Sequence, residues 1–324
     1  MNERRVRYAG FCARGALVLA ALLLAPACGG AKDSVTAKAP AVTSADQIDA
    51  DPVALLPGEP LATAYLDAKA AFAAPYGESL SRLVDRLVPA SADAGLLPSR
   101  DIETLWAASY GGQGLDSLVV ARGKFDEAKL KAAAERTAAP GGAIVQSTYG
   151  ERKVYTVSNV GVVILTPRTA LIGTETSIRR SIDRVQAGNL KRSVPGWMLD
   201  TLATPSALFA AAADLETQPM PSQLKLPVAW LQNVKTAKVV GTPDGGVRVK
   251  GLLKFATPDQ AQAAERGLKQ TELIARALSI TGVVPRLADT QIKAEGGEVE
   301  ASFRVEDRGI SSLLDNAKRW LGGG

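Results

Sequence analysis

The sequence predicts an α+β protein built from two tandem modules, each an antiparallel sheet with helices on one face. Short strand-like stretches are joined by turns rich in Gly, Pro, Asn and Asp, which is typical of antiparallel hairpins. Alanine-rich segments with helical spacing separate these hairpins. A stretch near residue 124 also recurs near residue 254, which indicates that the chain carries the module twice.

The first module is predicted over residues 58–190. Apolar stretches bounded by turn residues predict strands at 61–66, 102–110, 118–122, 143–149, 153–157, 161–166 and 170–173. Apolar residues at helical spacing predict helices at 80–88, 126–137 and 178–185, which end at Pro89, Pro140 and Gly188. The glycine cluster at 111–114 lacks the Gly-Lys-Ser/Thr ending of a phosphate loop, so a hairpin turn is the better interpretation.

The second module is predicted over residues 191–324. A weak strand is expected at 208–213, and a clearer hairpin pairs 234–240 with 247–255 across Pro243-Asp244-Gly245-Gly246. Thr257, Pro258 and Gln260 form a strong helix start, because Thr is a good N-cap and Gln completes a capping box. Apolar residues lining that helix are Ala261, Ala264, Leu268, Ala275 and Leu278. A hairpin at 291–295 and 299–305 and a helix at 310–321 complete the module.

The internal repeat has an offset of 130 residues. Between Lys124 and Arg136, six of 13 positions are identical to the shifted sequence, whereas chance predicts about one or two in alanine-rich sequence. The first module then has one extra hairpin, assigned to residues 161–173. The alternative is that two alanine-rich helices converged on a similar composition.

The first 27 residues have the features of a signal peptide. Four arginines precede the uncharged stretch from Gly15 to Leu24, which is too short to span a bilayer but fits a signal-peptide core. Small residues and Cys28 follow it. Residues 28–57 are rich in Gly, Ala, Ser, Asp and Pro without periodicity, so they are predicted to begin with a lipidated cysteine and continue as a flexible tether.

Ala25-Pro26-Ala27-Cys28 resembles the lipobox of bacterial lipoproteins. This resemblance implies cleavage before Cys28, lipid attachment to that cysteine and a location in the cell envelope. Because Gly29 follows where Asp would signal retention at the inner membrane, the resemblance also implies the outer membrane. The residues leave ordinary secretion with cleavage after Ala27 open as the alternative. Beyond the leader, the chain is similar to uncharacterised, alanine-rich envelope lipoproteins only in style.

Composition excludes several classes of function. After removal of the leader, 34 basic and 32 acidic residues give a net charge of +2, which provides no global attraction for nucleic acid. The chain has no histidine, and its two cysteines are Cys12 and Cys28. Zinc sites that need histidine, Ser-His-Asp triads and Cys-His dyads are therefore impossible. No disulfide can form within the mature chain, and no cofactor or metal is expected.

The remaining motifs are weak. Ser222 and Lys225 match the S-x-x-K of penicillin-binding enzymes, but the companion motifs are missing. A basic cluster could meet anionic lipid headgroups or an acidic partner, although interleaved carboxylates favour a solvated helix face; it consists of Arg179, Arg180, Arg184, Lys191 and Arg192. An acidic cluster is interpreted as a water-facing sheet edge that discourages strand addition; it consists of Glu295, Glu298, Glu300, Glu306 and Asp307.

The expected function is therefore a non-catalytic envelope lipoprotein. Such a protein would be a binding or scaffolding module that holds a protein partner or an apolar ligand, including a lipid tail, near the membrane. Its lipid anchor would make the membrane itself a partner. The alternative is an envelope hydrolase that uses paired carboxylates or a Ser-Lys dyad, because carboxylate separation depends on the fold and cannot be deduced from sequence.

Overall fold

A computed structural model describes residues 43–87, 96–111, 116–136, 144–157, 160–218, 229–280 and 284–321. Its helices are α1 (Ala45–Ala50), α2 (Ala68–Ala73), α3 (Gly77–Leu87), α4 (Pro98–Asp101), α5 (Glu127–Arg136), α6 (Glu175–Gln186), α7 (Gly196–Leu202), α8 (Pro258–Ser279) and α9 (Asp307–Leu321). Short 3-10 helices follow α1, at Pro52–Leu55, and precede the ninth strand, at Ala229–Asn233. The strands are β1 (Ala62–Asp67), β2 (Ile102–Tyr110), β3 (Asp116–Gly123), β4 (Val145–Tyr149), β5 (Arg152–Val157), β6 (Val160–Thr166), β7 (Thr169–Gly173), β8 (Phe209–Asp214), β9 (Val234–Pro243), β10 (Gly246–Phe255), β11 (Leu287–Glu295) and β12 (Glu298–Glu306).

These strands form one twelve-stranded sheet in the order β11-β12-β10-β9-β8-β1-β2-β3-β7-β6-β5-β4. Each adjacent pair is antiparallel, so the predicted α+β class with antiparallel sheets is confirmed. The sheet has two halves, strands β1–β7 and strands β8–β12. They meet where β1 pairs with β8, from Ala62 opposite Ala213 to Leu66 opposite Phe209.

The strand order from the centre outward is the same in both halves. It is β1-β2-β3-β7-β6 in the first half and β8-β9-β10-β12-β11 in the second, as a duplication would require. Helices α5 and α8 follow equivalent strands, β3 and β10. The extra hairpin, however, is the outer pair β4–β5 and not residues 161–173, because β7 pairs with β3 as β12 pairs with β10.

Helices cover both faces of the sheet in the first half. On one side, called the α6 face, Ile178 and Ile182 of α6 belong to one buried cluster with Leu118 and Val120 of β3. On the opposite side, the α5 face, α5 packs on Tyr155 of β5. Because successive side chains of a strand point to opposite faces, Val120 and Ala121 contribute to different cores.

The outer strands of the second half carry helices on one face only, as the sequence predicts for both modules. At the offset of 130 residues, Leu118 and Val120 correspond to Arg248 and Lys250, which cannot form the floor of a core. Their neighbours Val247 and Val249 point to the α5 face, where they pack in one cluster with Ile310 of α9. Helices α6 and α9, the last helices of the predicted first and second modules, therefore lie on opposite faces of the sheet. Each of them packs on the apolar side of the strands in its own half.

The predicted tether extends too far toward the C-terminus. Ser44 and Gln47 form a reciprocal capping box at the start of α1. Ile48, Leu55 and Leu56 are then buried against the core of the α6 face. Residues 43–57 are thus part of the fold, and the Ser-x-x-Gln pattern before an apolar residue was the sequence signal for it. Residues 1–42 lie outside the described part of the chain.

Candidate functional site

A cleft of about 510 Å³ opens on the α5 face of the first half. Its floor consists of apolar side chains from β6 and β7: Val162, Ile164, Ala170 and Ile172. Leu96, Phe125 and Leu130 form apolar walls. This size lies within the range of roughly 300–1,000 Å³ that is usual for small-molecule sites. We call this feature the α5 cleft.

The α5 cleft exists because helix α5 packs closely on the sheet at one end only. Toward its C-terminus, Ala133 and Ala134 are buried in a cluster with Ile144 and Tyr155. Before its N-terminus, Phe125 belongs to a separate cluster around Ala121. Ile164, Ala170 and Ile172 of the floor belong to this second cluster, and Ile164 and Ile172 are only partly buried in it. In the second half, by contrast, the core beneath α8 is one continuous cluster that includes Trp230 and Leu268.

Charged residues surround the mouth of the α5 cleft. Arg100 pairs with Asp101 at 2.6 Å, and Lys129 lies 3.8 Å from Asp126. Lys124 also lines the cleft, and it has no ion-pair partner within the described part of the chain. The lining residues therefore combine an apolar floor with a rim of three cations and two carboxylates.

Both rim carboxylates accept hydrogen bonds from backbone amides. Asp101 accepts a hydrogen bond from the Leu97 amide at 2.8 Å, and its hydrogen bond with Arg100 lowers the pKa of Asp101. Asp126 accepts hydrogen bonds from two amides at the start of α5. Cations also lower the pKa of three further carboxyl groups, Glu265, Asp289 and Glu295. A general acid in glycoside hydrolysis needs a shift in the opposite direction.

Most of the predicted basic cluster has a structural role. The Arg180 guanidinium lies 5.0 Å from the ring centroid of Tyr110, and Arg192 bonds to Asp51 at 2.7 Å. Arg184 donates to the carbonyl oxygen of Ala54 at 3.0 Å, and burial lowers its pKa. The contacts of Arg184 and Arg192 hold residues 51–54 in place. The four other members of the cluster, Arg179, Arg180, Lys191 and Arg192, are exposed, so the predicted solvated face is wrong only for the half-buried Arg184.

The predicted acidic cluster lies at the outer edge of the second half. Glu298 and Glu300 are on β12, opposite Lys254 and Lys293 in the strand register. Strand β11 is the edge strand of the sheet there, and Glu295 is the one member of the cluster that lies on it. Because β12 is paired on both sides, the predicted sheet edge is wrong for Glu298, Glu300 and Glu306, although these side chains are exposed to water. Within the described residues, no group of three or more Asp or Glu side chains could hold a metal ion.

Three predicted site residues cannot be placed. Cys28, the lipid-attachment residue, precedes the described part of the chain, and Ser222 and Lys225 lie in the undescribed range 219–228. The cleft itself was not predicted. Its lining comes from residues 96–172, which are brought together only by the strand order, so no local motif marks it.

Helix α8 presents a second unusual surface. Four large aliphatic side chains are exposed along its C-terminal half and at its C-cap: Leu273 (60%), Ile274 (54%), Leu278 (45%) and the C-cap Ile280 (88%). The predicted assignment of Leu278 to the packed side of this helix is therefore wrong. Glu265 and Glu272 pair with Lys269 and Arg276 at 2.7 Å. No helix in the described ranges is long and apolar enough to span a membrane.

Comparison with solved structures identifies the fold. Crystal form III of TP0453 matches with a TM-score of 0.54 and 12% sequence identity, covering 82% of this chain and 97% of that chain. Forms IV and I of the same protein both match with a TM-score of 0.50 at 12% identity, covering 82% of this chain and 96% of that one. At this identity the likeness shows the fold alone. No family model and no curated protein matches the chain.

Proposed function

We propose that this chain is a lipid-anchored, non-catalytic protein of the cell envelope that binds an apolar ligand in the α5 cleft. The observation that carries the proposal is the apolar floor of Val162, Ile164, Ala170 and Ile172 beneath a charged rim. A hydrocarbon chain gains about 25 cal/mol for each Å² of apolar surface that it removes from water on such a floor.

The charge at the rim narrows the class of ligand. Arg100 and Lys129 have carboxylate partners, whereas Lys124 is exposed and unpaired among the described residues. An acidic headgroup at the mouth would meet Lys124 while the chain occupies the floor. The ligand class is therefore an amphiphile with a hydrocarbon tail and an anionic head, such as a fatty acid or a phospholipid.

The proposed location rests on the leader. Its arginines, apolar core and Ala25-Pro26-Ala27-Cys28 ending support lipidation and export. We expect Cys28→Ser to move the full chain from the membrane pellet to the soluble envelope fraction, because lipid chains carry the attachment. Wild-type protein that is soluble and unmodified by mass spectrometry would contradict the anchor without bearing on the cleft.

Ligand binding is tested separately. Full-length protein is purified from membranes, extracted with organic solvent and examined by mass spectrometry for co-purifying amphiphiles. The extracted protein is then titrated with a fluorescent hexadecanoic acid, and with hexadecanol carrying the same fluorophore. We expect saturable binding that is stronger for the acid. The proposal would be contradicted if neither probe binds.

A second candidate function, docking of a protein partner, is supported by the exposed side of α8. Leu273, Ile274 and Ile280 are aliphatic and exposed toward the C-terminal end of one helix, and exposed apolar surface can mark a site of protein interaction. The nearby cation Arg266 is exposed as well. A partner that fits would present an apolar groove with acidic edges. Crosslinking in intact cells with Leu273→Ser and Ile274→Ser variants tests this candidate, since both should lose a captured partner.

The hydrolase alternative has less support. Carboxyl groups of the described residues with shifted pKa values are Asp101, Glu265, Asp289 and Glu295, and all four are shifted downward by cations. Turnover of an envelope polysaccharide or peptide by purified protein, together with failure to bind amphiphiles, would favour the hydrolase.

A further inference from the structure

A second cleft, of about 470 Å³, lies on the α6 face above the centre of the sheet. It separates the segment Ala50–Val53 from helix α7 and the loop that follows it. Side chains of three neighbouring strands form its floor: Tyr65 of β1, Trp106 of β2 and Arg122 of β3. We call this feature the seam cleft. It is on the opposite face of the sheet from the α5 cleft.

The floor of the seam cleft is aromatic at its centre. Tyr65 and Trp106 are cross-strand partners, and their ring centroids are 5.5 Å apart at an interplanar angle of 49°. Neither ring is fully buried. Leu199 and Leu202 of α7 line the adjoining wall. An aromatic surface of this kind accepts the flat face of a ring compound.

The cation Arg122 lines the seam cleft together with the aromatic pair. Arg122 is half-buried, and within the described part of the chain no carboxylate lies at ion-pair distance from it. Asp67, in the same row of the sheet, accepts a hydrogen bond from the Ala70 amide at 2.9 Å. At the mouth, Arg192 is occupied by Asp51 at 2.7 Å. Arg122 is therefore the cation in this cleft that remains available for a ligand.

The rim contains a strained residue and hydroxyl groups. Ser206 has φ +58, a left-handed conformation that a residue other than glycine adopts at a cost of roughly 1–3 kcal/mol. Thr204, which also lines the cleft, donates to the carbonyl oxygen of Thr201 at 2.8 Å. Backbone strain of this kind is found preferentially at binding sites.

We propose that the seam cleft binds a sugar that carries a carboxylate. The apolar face of the sugar ring packs on Trp106 and Tyr65, and the carboxylate accepts paired hydrogen bonds from the Arg122 guanidinium. The planar fork of arginine matches the two oxygens of a carboxylate, and hydrogen bonds to charged groups are the stronger ones. A plain hydrocarbon is disfavoured here, because it would bury the Arg122 charge without a partner.

The test compares two sugars that differ by one lactyl ether group, which carries the carboxylate. N-acetylmuramic acid and N-acetylglucosamine share the pyranose ring, and only the former carries a carboxylate. Isothermal titration of full-length protein is expected to show at least about tenfold stronger binding of the acid, as one charged hydrogen bond supplies. Arg122→Gln is expected to remove this preference while weak binding of the neutral sugar persists.

Control variants distinguish binding at the seam cleft from a general effect of positive charge and from loss of folding. Arg168→Gln removes an exposed arginine outside the cleft and should leave the preference unchanged. Arg122→Lys retains the charge without the fork and should give an intermediate preference, and thermal unfolding verifies that each variant folds. The proposal is overturned if neither sugar binds, if both bind equally, or if N-acetylglucosamine 6-phosphate binds in preference to the carboxylate.

Discussion

Two buried tyrosines, Tyr110 and Tyr155, differ in whether the hydroxyl group has a hydrogen-bond partner. Tyr110 donates its hydroxyl to the carbonyl oxygen of Pro57 at 3.0 Å, and burial raises the pKa of Tyr110. The Tyr155 hydroxyl is equally enclosed, but among the described residues it has no hydrogen-bond partner. Burial is again the largest cause that raises the pKa of Tyr155.

These tyrosines form a matched pair for substitution. Tyr110→Phe leaves the buried Pro57 carbonyl without its donor, so we expect a loss of about 1–3 kcal/mol in the free energy of unfolding. Tyr155→Phe removes a hydroxyl that has no partner, so we expect no loss or a gain of up to about 1 kcal/mol. Urea unfolding of both variants provides the comparison. A larger loss for Tyr155→Phe than for Tyr110→Phe would contradict this assignment.

At the level of the element, the pairing of β8 with β9 depends on a glycine. Phe209 lies directly opposite Gly241, and a Cβ atom added at Gly241 would come within 2.1 Å of the Phe209 ring. Gly251, on the next strand, has only ordinary contacts of 3.7 Å and 3.9 Å around the same position. One glycine is thus required for close approach, and the other is not.

Alanine at these two positions should have opposite effects. Gly241→Ala forces the Phe209 ring to move, and overpacking of this kind typically costs about 1–3 kcal/mol. Gly251→Ala meets no such obstacle and should be neutral or stabilise the protein by up to about 1 kcal/mol, because alanine loses less backbone entropy. Thermal denaturation of the two variants measures the difference, and equal melting temperatures would show that the ring adapts freely.

The sequence predicted elements well where a local signal was strong. Thr257 does accept a hydrogen bond from the Gln260 amide, and the helix begins at Pro258 as expected. The same type of signal at Ser44 and Gln47 was overlooked because the surrounding residues resemble a tether. Helix α7, Gly196–Leu202, has only two turns and was also missed, since so short a segment shows little periodicity.

In the whole molecule, the two halves share buried hydrophobic clusters as well as one continuous sheet. Tyr76 of the first half is buried in one cluster with Leu208 and Val247 of the second. Met198, beyond the predicted boundary at residue 190, belongs to the core around Leu118. The tandem organisation was predictable from the repeat. The continuous sheet and the shared cores were not, because they depend on contacts between residues far apart in sequence.

This sharing predicts that the folded chain unfolds in one step. Because neither half buries its apolar surface alone, loss of one half exposes the core of the other. Differential scanning calorimetry of the full chain should therefore show one cooperative transition with calorimetric and van't Hoff enthalpies that agree. Two separated transitions would indicate that the halves are independent domains.

Filling the α5 cleft with a large side chain should block the binding of an amphiphile there. Val162 lies on its floor, and Val160 is on the same face of β6 but is 46% exposed and outside the cleft. Binding of fluorescent hexadecanoic acid is measured for Val162→Trp and Val160→Trp at matched thermal stability. We expect at least about tenfold weaker binding for Val162→Trp and less than about twofold change for Val160→Trp. Unchanged binding in Val162→Trp would contradict the proposal.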